Sequence, residues 1–251
     1  MEKNFEINRD GQNIRCKLYA EKGAQLQKVV LFGHGFAGHK DNKAAQKFAE
    51  RVLAKYKGVA VLVFNLPCHG NDVKKKLLLS DCMTYIRIVL QYIREELQVE
   101  RIYSYATSFG AFLVLKYIAE YGNPFVKIAL RCPAIHMAQV LTTKVIGSDE
   151  LEKIQKGKPV SVGFDRKIEV TRPFLQELEE TNLEENDYLE DAERILILHG
   201  TKDEVVPFEE SARFADENLM EFVPIENADH RFQDPGCMEQ ATKAVLAFFA
   251  F

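Results

Sequence analysis

A serine at position 108 lies between an apolar strand-like run and an apolar helix-like run, and this junction constrains the fold more than any other feature. Residues 102–107 read Ile-Tyr-Ser-Tyr-Ala-Thr, and residues 109–118 read Phe-Gly-Ala-Phe-Leu-Val-Leu-Lys-Tyr-Ile. Ala106 and Gly110 are small, as a sharp strand-to-helix turn requires where two backbones pass close together. Such a turn strains the serine and projects its hydroxyl from the sheet edge beside free amides. The pattern predicts a nucleophile elbow, and a serine that caps a buried helix is the alternative.

Two later strands each end in a polar loop that contains one group able to activate the serine. The run 195–198 leads to Asp203, and the run 222–225 leads to His230. A serine hydroxyl is a poor nucleophile near neutral pH, so a histidine must accept its proton and a buried carboxylate must fix the imidazole tautomer. We therefore predict Ser108 as the nucleophile, His230 as the general base and Asp203 as the orienting acid.

Two other carboxylates are alternatives for the acid. Asp229 directly precedes the histidine, and Glu204 directly follows Asp203. Side chains of sequence neighbours usually point apart. Asp203 therefore remains the predicted acid.

An early apolar run, residues 29–32, opens into the glycine-rich loop Gly-His-Gly-Phe-Ala-Gly at 33–38. Glycines let backbone amides approach a tetrahedral oxyanion. The two expected donors are the amide of Phe109, which follows the serine, and the amide of Phe36 in this loop. A phosphate-binding loop is the rival interpretation: residues 33–38 have the spacing Gly-x-Gly-x-x-Gly, but the Gly-Lys-Ser/Thr ending is absent.

Four motifs together closely resemble the α/β-hydrolase superfamily along almost the whole chain. The segment 34–41 is most similar to small bacterial carboxylesterases of the cinnamoyl (feruloyl) esterase type, and serine aminopeptidase-like and acylglycerol lipase-like members share the motifs. Ala106, where glycine is commoner, and the unusual segment 66–72 depart from the pattern without removing a catalytic group. The four motifs are His34-Gly-Phe36, Ala106-Thr-Ser-Phe-Gly110, His199-Gly-Thr-Lys-Asp203 and Asp229-His230.

The resemblance implies a serine carboxylesterase that cleaves short-chain or aryl esters, hydroxycinnamoyl esters included, through an acyl-enzyme and without a cofactor. The enzymatic alternatives are a serine aminopeptidase-like peptidase, which would need lid carboxylates such as Glu150 or Glu152 near a substrate ammonium, and an acylglycerol lipase or thioesterase. The alternative from another class is a small-molecule receptor with a hydrolase fold.

The pattern of apolar runs indicates an α/β fold with a mostly parallel sheet flanked by helices. Residues 5–18 alternate around Asp10-Gly11 and predict an antiparallel hairpin at the sheet edge. The strand–helix rhythm breaks between 134 and 187, where residues 160–170 alternate as a small hairpin would; we expect a lid insertion within a single domain, 1–251, with two connecting helices as the alternative. The predicted strands are 29–32, 59–64, 101–105, 126–130, 195–198 and 222–225, and the predicted helices are 43–55, 80–97, 108–121, 209–217 and 238–249.

The substrate pocket is expected to be mostly apolar, with a few polar groups from the lid. Phe36, Phe109 and Phe164 supply the aromatic surface in this prediction. Ser161 and Asp165 supply the polar contacts, so that Phe164, Ser161 and Asp165 are the predicted substrate-binding residues.

Composition limits the partners and the compartment. The 33 basic and 37 acidic residues are spread along the chain, so no basic face for nucleic acid is expected. Neither a signal peptide nor an apolar run near the roughly 20 residues of a membrane helix is evident, which predicts a cytoplasmic protein.

The five cysteines include no Cys-x-x-Cys pair, which predicts reduced thiols. The histidines show no His-x-x-x-His spacing, which predicts no metal site, and His34 and His199 are expected to form hydrogen bonds in turns. The expected partner is a small-molecule ester, and the oligomeric state, monomer or homodimer, stays open.

Overall fold

The structure, a computed structural model, describes residues 1–163 and 167–251. Eight strands of this part form one central sheet, and two more form a separate antiparallel hairpin. In chain order the strands are β1 Glu2–Arg9, β2 Gln12–Tyr19, β3 Lys28–Gly33, β4 Val59–Phe64, β5 Arg101–Thr107, β6 Ile128–Arg131, β7 Val160–Val162, β8 Ile168–Val170, β9 Ile195–Gly200 and β10 Glu221–Ile225.

The central sheet has the strand order β1-β2-β4-β3-β5-β6-β9-β10. All neighbours from β4 to β10 pair in parallel, whereas β1–β2 and β2–β4 are antiparallel. Every residue of β4 is buried, because both faces of a parallel sheet are covered by helices. The predicted α/β fold with a mostly parallel sheet is confirmed.

Helices cover the two faces and enclose two separate apolar cores. The core on one face contains residues of α2, α3 and α7, and the core on the other contains residues of α1 and α8. Successive side chains of β5 point to opposite faces of the sheet, so this strand contributes residues to both cores. Ile102 and Ala106 belong to the first core, and Tyr103 and Tyr105 belong to the second. The helices are α1 Lys43–Lys55, α2 Leu79–Glu95, α3 Phe109–Tyr121, α4 Met137–Val140, α5 Ser148–Gln155, α6 Arg172–Glu179, α7 Phe208–Glu217 and α8 Pro235–Phe249, with a π-helical turn at Leu141–Val145 and 3-10 turns at Leu183–Glu185 and Leu189–Arg194.

The predicted N-terminal hairpin is present at one edge of the sheet. Arg9 pairs with Gln12, so the connection has two residues. The two connecting residues, Asp10 and Gly11, have left-handed backbones with φ 51° and φ 71°. A two-residue turn that matches the twist of its strands requires this conformation.

The segment between β6 and β9 contains α4, α5, α6 and the two-stranded hairpin β7–β8. The hairpin lies where residues 160–170 alternate in the sequence. Phe174 and Leu175 of α6 are wholly buried in the first core, which ties this segment to the body of the protein. None of the described helices has the length and apolar content that crossing a bilayer demands.

Candidate active site

Ser108 occupies a strained turn between β5 and α3. Its backbone has φ 51° and ψ −117°, a region that residues with a side chain rarely adopt. The turn depends on small neighbours: a Cβ on Gly110 would lie 2.6 Å from the carbonyl oxygen of His34, and a Cβ on Gly33 would lie 3.0 Å from that of Ala106. The serine stands at the carboxyl edge of the sheet, where the sequence pattern predicts it.

A continuous hydrogen-bonded chain joins the serine to a buried carboxylate. His230 Nε2 lies 3.0 Å from Ser108 Oγ, and His230 Nδ1 lies 2.7 Å from Asp203 Oδ2. The Asp203 side chain has no exposed surface. If the serine hydroxyl donates to Nε2, then Nδ1 must hold the ring proton and donate it to the carboxylate. This arrangement allows the imidazole to accept a proton from the serine while the carboxylate stabilises the resulting charge.

Asp203 accepts more hydrogen bonds than the one from His230. Its Oδ1 accepts from the backbone N–H groups of Val205 and Val206 at 2.9 and 2.8 Å. A second imidazole, that of His199, places Nε2 3.1 Å from Asp203 Oδ2 and 3.1 Å from the carbonyl oxygen of Val206. Burial by itself raises the pKa of Asp203, but hydrogen bonds from His199, His230 and the Val206 amide hold that pKa well below its usual value. The carboxylate is therefore ionised across the working pH range.

The sequence pattern did not predict the contact between His199 and the Asp203 carboxylate. It predicted only that His199 forms a hydrogen bond within a turn. That hydrogen bond exists, to Val206. The additional contact arises because His199 is at the end of the wholly buried strand β9, four residues before Asp203. A polar residue at the end of a buried strand, close in sequence to the acid, is the signal that could have indicated it.

The two alternative acids do not contact the imidazole in the described structure. Asp229 Oδ1 accepts a hydrogen bond from the backbone N–H of Gln233 at 2.9 Å and so stabilises its own loop. Glu204 is exposed. The geometry therefore brings Asp203, and neither of its rivals, to His230.

The glycine-rich loop passes directly over the nucleophile. A Cβ on Gly35 would lie 3.4 Å from that of Ser108. Phe109 begins α3, where amides lack a partner within the helix. In the part of the chain that the structure describes, the amides of Phe36 and Phe109 donate to no backbone or side-chain acceptor. Both predicted oxyanion donors are therefore available next to the serine.

His34 fixes the position of this loop. Its Nε2 accepts from the backbone N–H of Leu66 at 3.2 Å, and its Nδ1 lies 2.9 Å from the carbonyl oxygen of Gly35. Burial, with the nearby His69, lowers the pKa of His34 to about 3, so the ring is neutral and Nδ1 donates to Gly35. The turn hydrogen bond expected of His34 is present.

A cavity of about 320 Å³ opens at Ser108 and His230. The segment between β6 and β9 provides an apolar wall with Met137, Val140 and Val145. These three side chains therefore line the same cavity as Ser108.

Only some of the residues that were predicted to form the pocket line the cavity. Phe36 lines it, whereas the ring of Phe109 is wholly buried and packs edge-to-face on Phe36 with 5.9 Å between centroids, so Phe109 contributes its amide and not its ring. Ser161 lies on the exposed face of β7 and is not brought to the cavity. Phe164 and Asp165 lie outside the described residues.

Within residues 1–163 and 167–251, one group of three side chains has a spacing that a metal ion could bridge. Cys132 Sγ, an Asp203 oxygen and a His230 nitrogen all lie within 4.8 Å of one another. Burial and the Asp203 charge raise the pKa of the Cys132 thiol well above its ordinary value. The hydrogen bonds of Asp203 and His230 account for these atoms without an ion. All five cysteines are free thiols.

Comparison with known proteins agrees with the α/β fold. A family model described as the alpha/beta hydrolase fold matches residues 28–159. Est1E from Butyrivibrio proteoclasticus, solved with ferulic acid bound, is 21% identical with a TM-score of 0.78 over 98% of this chain and 100% of that one. Alpha/beta hydrolase domain-containing protein 10 from mouse is 14% identical with a TM-score of 0.72 over 99% and 98% of the two chains. A serine hydrolase without a lid from Xanthomonas campestris is 14% identical with a TM-score of 0.66 over 98% and 93%. No curated protein sequence matches the chain, and at these identities the structural likeness shows the fold.

Proposed function

Because the chain belongs to the α/β-hydrolase family, we propose that it is a serine carboxylesterase that cleaves short-chain or aryl esters through an acyl-enzyme on Ser108. One observation carries the proposal: Ser108 Oγ, the His230 imidazole and the Asp203 carboxylate form a hydrogen-bonded chain with distances of 3.0 and 2.7 Å. The strained backbone of the serine and the two unoccupied amides beside it support the same reaction.

Acylation begins when Ser108 Oγ attacks the ester carbonyl carbon and His230 Nε2 accepts the hydroxyl proton. The carbonyl oxygen becomes an oxyanion, which accepts hydrogen bonds from the amides of Phe36 and Phe109. Asp203 stabilises the imidazolium that forms. When the tetrahedral intermediate collapses, the imidazolium gives its proton to the leaving oxygen, and the alcohol departs from the acyl-enzyme.

Deacylation repeats these steps with water as the nucleophile. His230 Nε2 accepts a proton from the water as it attacks the acyl carbonyl, and the same two amides stabilise the second oxyanion. Collapse returns the proton to Ser108 Oγ and releases the carboxylic acid. His230 thus acts as base and acid once in each half of the cycle.

The form of the cavity supports a small acyl group. Its volume of about 320 Å³ is close to the lower limit for ligand pockets, roughly 300 Å³, and Phe36, Met137, Val140 and Val145 make part of its wall apolar. Aryl and short aliphatic acyl groups, hydroxycinnamoyl among them, fit such a space better than a long chain. In this proposal the segment 134–187 is the lid that closes the cavity.

The peptidase alternative is disfavoured by the two lid carboxylates that it needs. Glu150 Oε2 accepts from the backbone N–H of Gly147 at 3.0 Å and caps α5. Glu152 pairs with Lys156, the residue that follows α5. Both carboxylates thus have partners at the ends of α5, and neither belongs to the described lining of the cavity.

A substrate panel tests the proposal. The p-nitrophenyl esters of acetate, butyrate, cinnamate and palmitate are compared with an aminoacyl p-nitroanilide of similar size. We expect the three shorter esters to be cleaved well and the palmitate ester and the anilide poorly. Ser108→Ala should lose about 10⁴- to 10⁶-fold in kcat. A preference for palmitate would indicate a lipase, a preference for the anilide a peptidase, and no turnover of any substrate a receptor.

A further inference from the structure

Arg131, at the end of β6, lies beside the nucleophile and lines the same cavity. Its carbonyl oxygen accepts the backbone N–H of Ser108 at 2.9 Å, and it pairs with Thr107 across β5 and β6. The residue is only 6% exposed, yet it lines the cavity together with Ser108 and His230. Arg131, a buried and positively charged residue, therefore adjoins the space in which a substrate would react.

The described residues supply no carboxylate to this guanidinium. Nη1 donates to the sulfur of Met238 at 3.2 Å, and the guanidinium carbon lies 5.0 Å from the ring centre of Phe232. Nε is buried and has no hydrogen-bond acceptor among residues 1–163 and 167–251. A thioether and an aromatic face contact the cation without neutralising its charge.

An unneutralised buried cation is costly. Removing a charged group from water costs several kcal/mol unless a partner of opposite charge compensates, so buried arginines are usually paired. The described lining of the cavity contains no aspartate or glutamate, although the whole chain has a net charge of −4. Arg131 is therefore a cation beside a cavity whose described lining carries no acidic side chain.

We propose that Arg131 binds a carboxylate group of the substrate, so that the enzyme prefers esters that carry a free carboxylate. A guanidinium presents paired N–H donors that match the two oxygens of a carboxylate. The bound anion would supply the opposite charge that the described contacts of the guanidinium lack. This inference rests on the proposed esterase function and specifies its substrate class.

Two matched pairs of esters test the inference. The first pair places the charge on the acyl side: p-nitrophenyl hydrogen adipate and the p-nitrophenyl ester of adipic acid monoamide. The second pair places it on the alcohol side: 4-carboxyphenyl butyrate and 4-carbamoylphenyl butyrate. A carboxylate and a primary amide have nearly the same size, so the two esters of each pair differ mainly in charge. The readout is the ratio of kcat/KM for the anionic ester to that for the neutral ester.

We expect this ratio to be about tenfold or more in favour of the anionic ester in one of the two pairs, which identifies the side of the ester that faces Arg131. Arg131→Gln should lower the ratio by about the same factor, and Arg131→Lys should lower it less because the charge remains. Arg51→Gln is the control, since Arg51 is exposed on α1 and not part of the described cavity lining. It removes one positive charge and should leave the ratio unchanged.

The outcomes separate this inference from the proposed function. Because the ratio is measured within one variant, a general loss of active protein cancels, and the wild-type ratio requires no variant to fold. Neutral esters cleaved in a Ser108-dependent way without any preference for the anionic esters would overturn the inference and leave the esterase. A preference that survives in Arg131→Gln would overturn the assignment to Arg131. No cleavage of any of the four esters would overturn both.

Discussion

Replacing Asp203 by asparagine changes one oxygen to an amide nitrogen at nearly constant size. In the structure Asp203 Oδ1 accepts from two backbone amides, and Oδ2 faces the nitrogen atoms of His230 and His199 at 2.7 and 3.1 Å. The two backbone N–H groups require an acceptor, so the asparagine oxygen takes the Oδ1 position. The new NH₂ group must then face both imidazoles.

An NH₂ group donates hydrogen bonds, so His230 Nδ1 has to become an acceptor and the ring proton moves to Nε2. In that tautomer Nε2–H points toward Ser108 and cannot accept the hydroxyl proton. We expect kcat for p-nitrophenyl butyrate to fall about 10⁴-fold, which corresponds to about 5.5 kcal/mol of transition-state stabilisation. The assay is kcat at saturating substrate, with the thermal unfolding midpoint measured for each variant to verify folding.

Asp229→Asn is the matched control. The asparagine oxygen can still accept from the backbone N–H of Gln233, the bond that Asp229 Oδ1 makes at 2.9 Å. Its activity should stay within about threefold of wild type, since surface substitutions of this kind change little. The reasoning is refuted if Asp203→Asn retains activity within tenfold of wild type, or if Asp229→Asn is the variant that loses it.

Three further predictions concern residues around the site. His199→Phe removes a donor to Asp203 and makes the carboxylate more basic, so the acid limb of the kcat/KM profile should move to higher pH by roughly half a unit; an unmoved limb would contradict the contact. Burial lowers the pKa of His69 to about 4 from 6.5, so its contribution to stability is complete above pH 6.5 and is lost as the pH falls toward 4. The free energy of unfolding by urea is measured at pH 7 and pH 4.5 for the wild type and for His69→Gln. The loss on going to pH 4.5 should be about 2 to 3 kcal/mol smaller in His69→Gln, and equal losses in the two proteins would refute this. Val145→Trp fills the cavity wall and should lower kcat/KM for the cinnamoyl ester about tenfold relative to acetyl, whereas an unchanged ratio would place the acyl group elsewhere.

The main elements were predictable because their signals are local. The predicted bounds of α1 and β4, residues 43–55 and 59–64, are those of the structure. Asp10-Gly11 forms the turn that this dipeptide favours. The predicted start of α8 at Met238 was three residues late, because Pro235 begins the helix and Asp234 caps it by accepting from two backbone N–H groups.

The direction of single side chains was harder to predict, because it depends on tertiary contacts. Strand β6 was predicted to end at Leu130, but it includes Arg131, and alternation then turns that side chain toward the face of Ala129. The ring of Phe109 was expected in the pocket, yet the turn of α3 directs it into the core. Neither the burial of a charged residue nor the packing of a helix is encoded in a local pattern.

Covalent labelling of Ser108 tests the central claim most directly. A fluorophosphonate reacts with a serine that is activated by a general base and leaves a stable phosphonyl adduct on its oxygen. Intact-mass analysis should find one adduct per chain on the wild-type protein, and peptide mapping should locate it on Ser108. Ser108→Ala should remain unlabelled, and Asp203→Asn should be labelled far more slowly. An adduct on another residue, or a folded wild-type protein that remains unlabelled, would contradict the account.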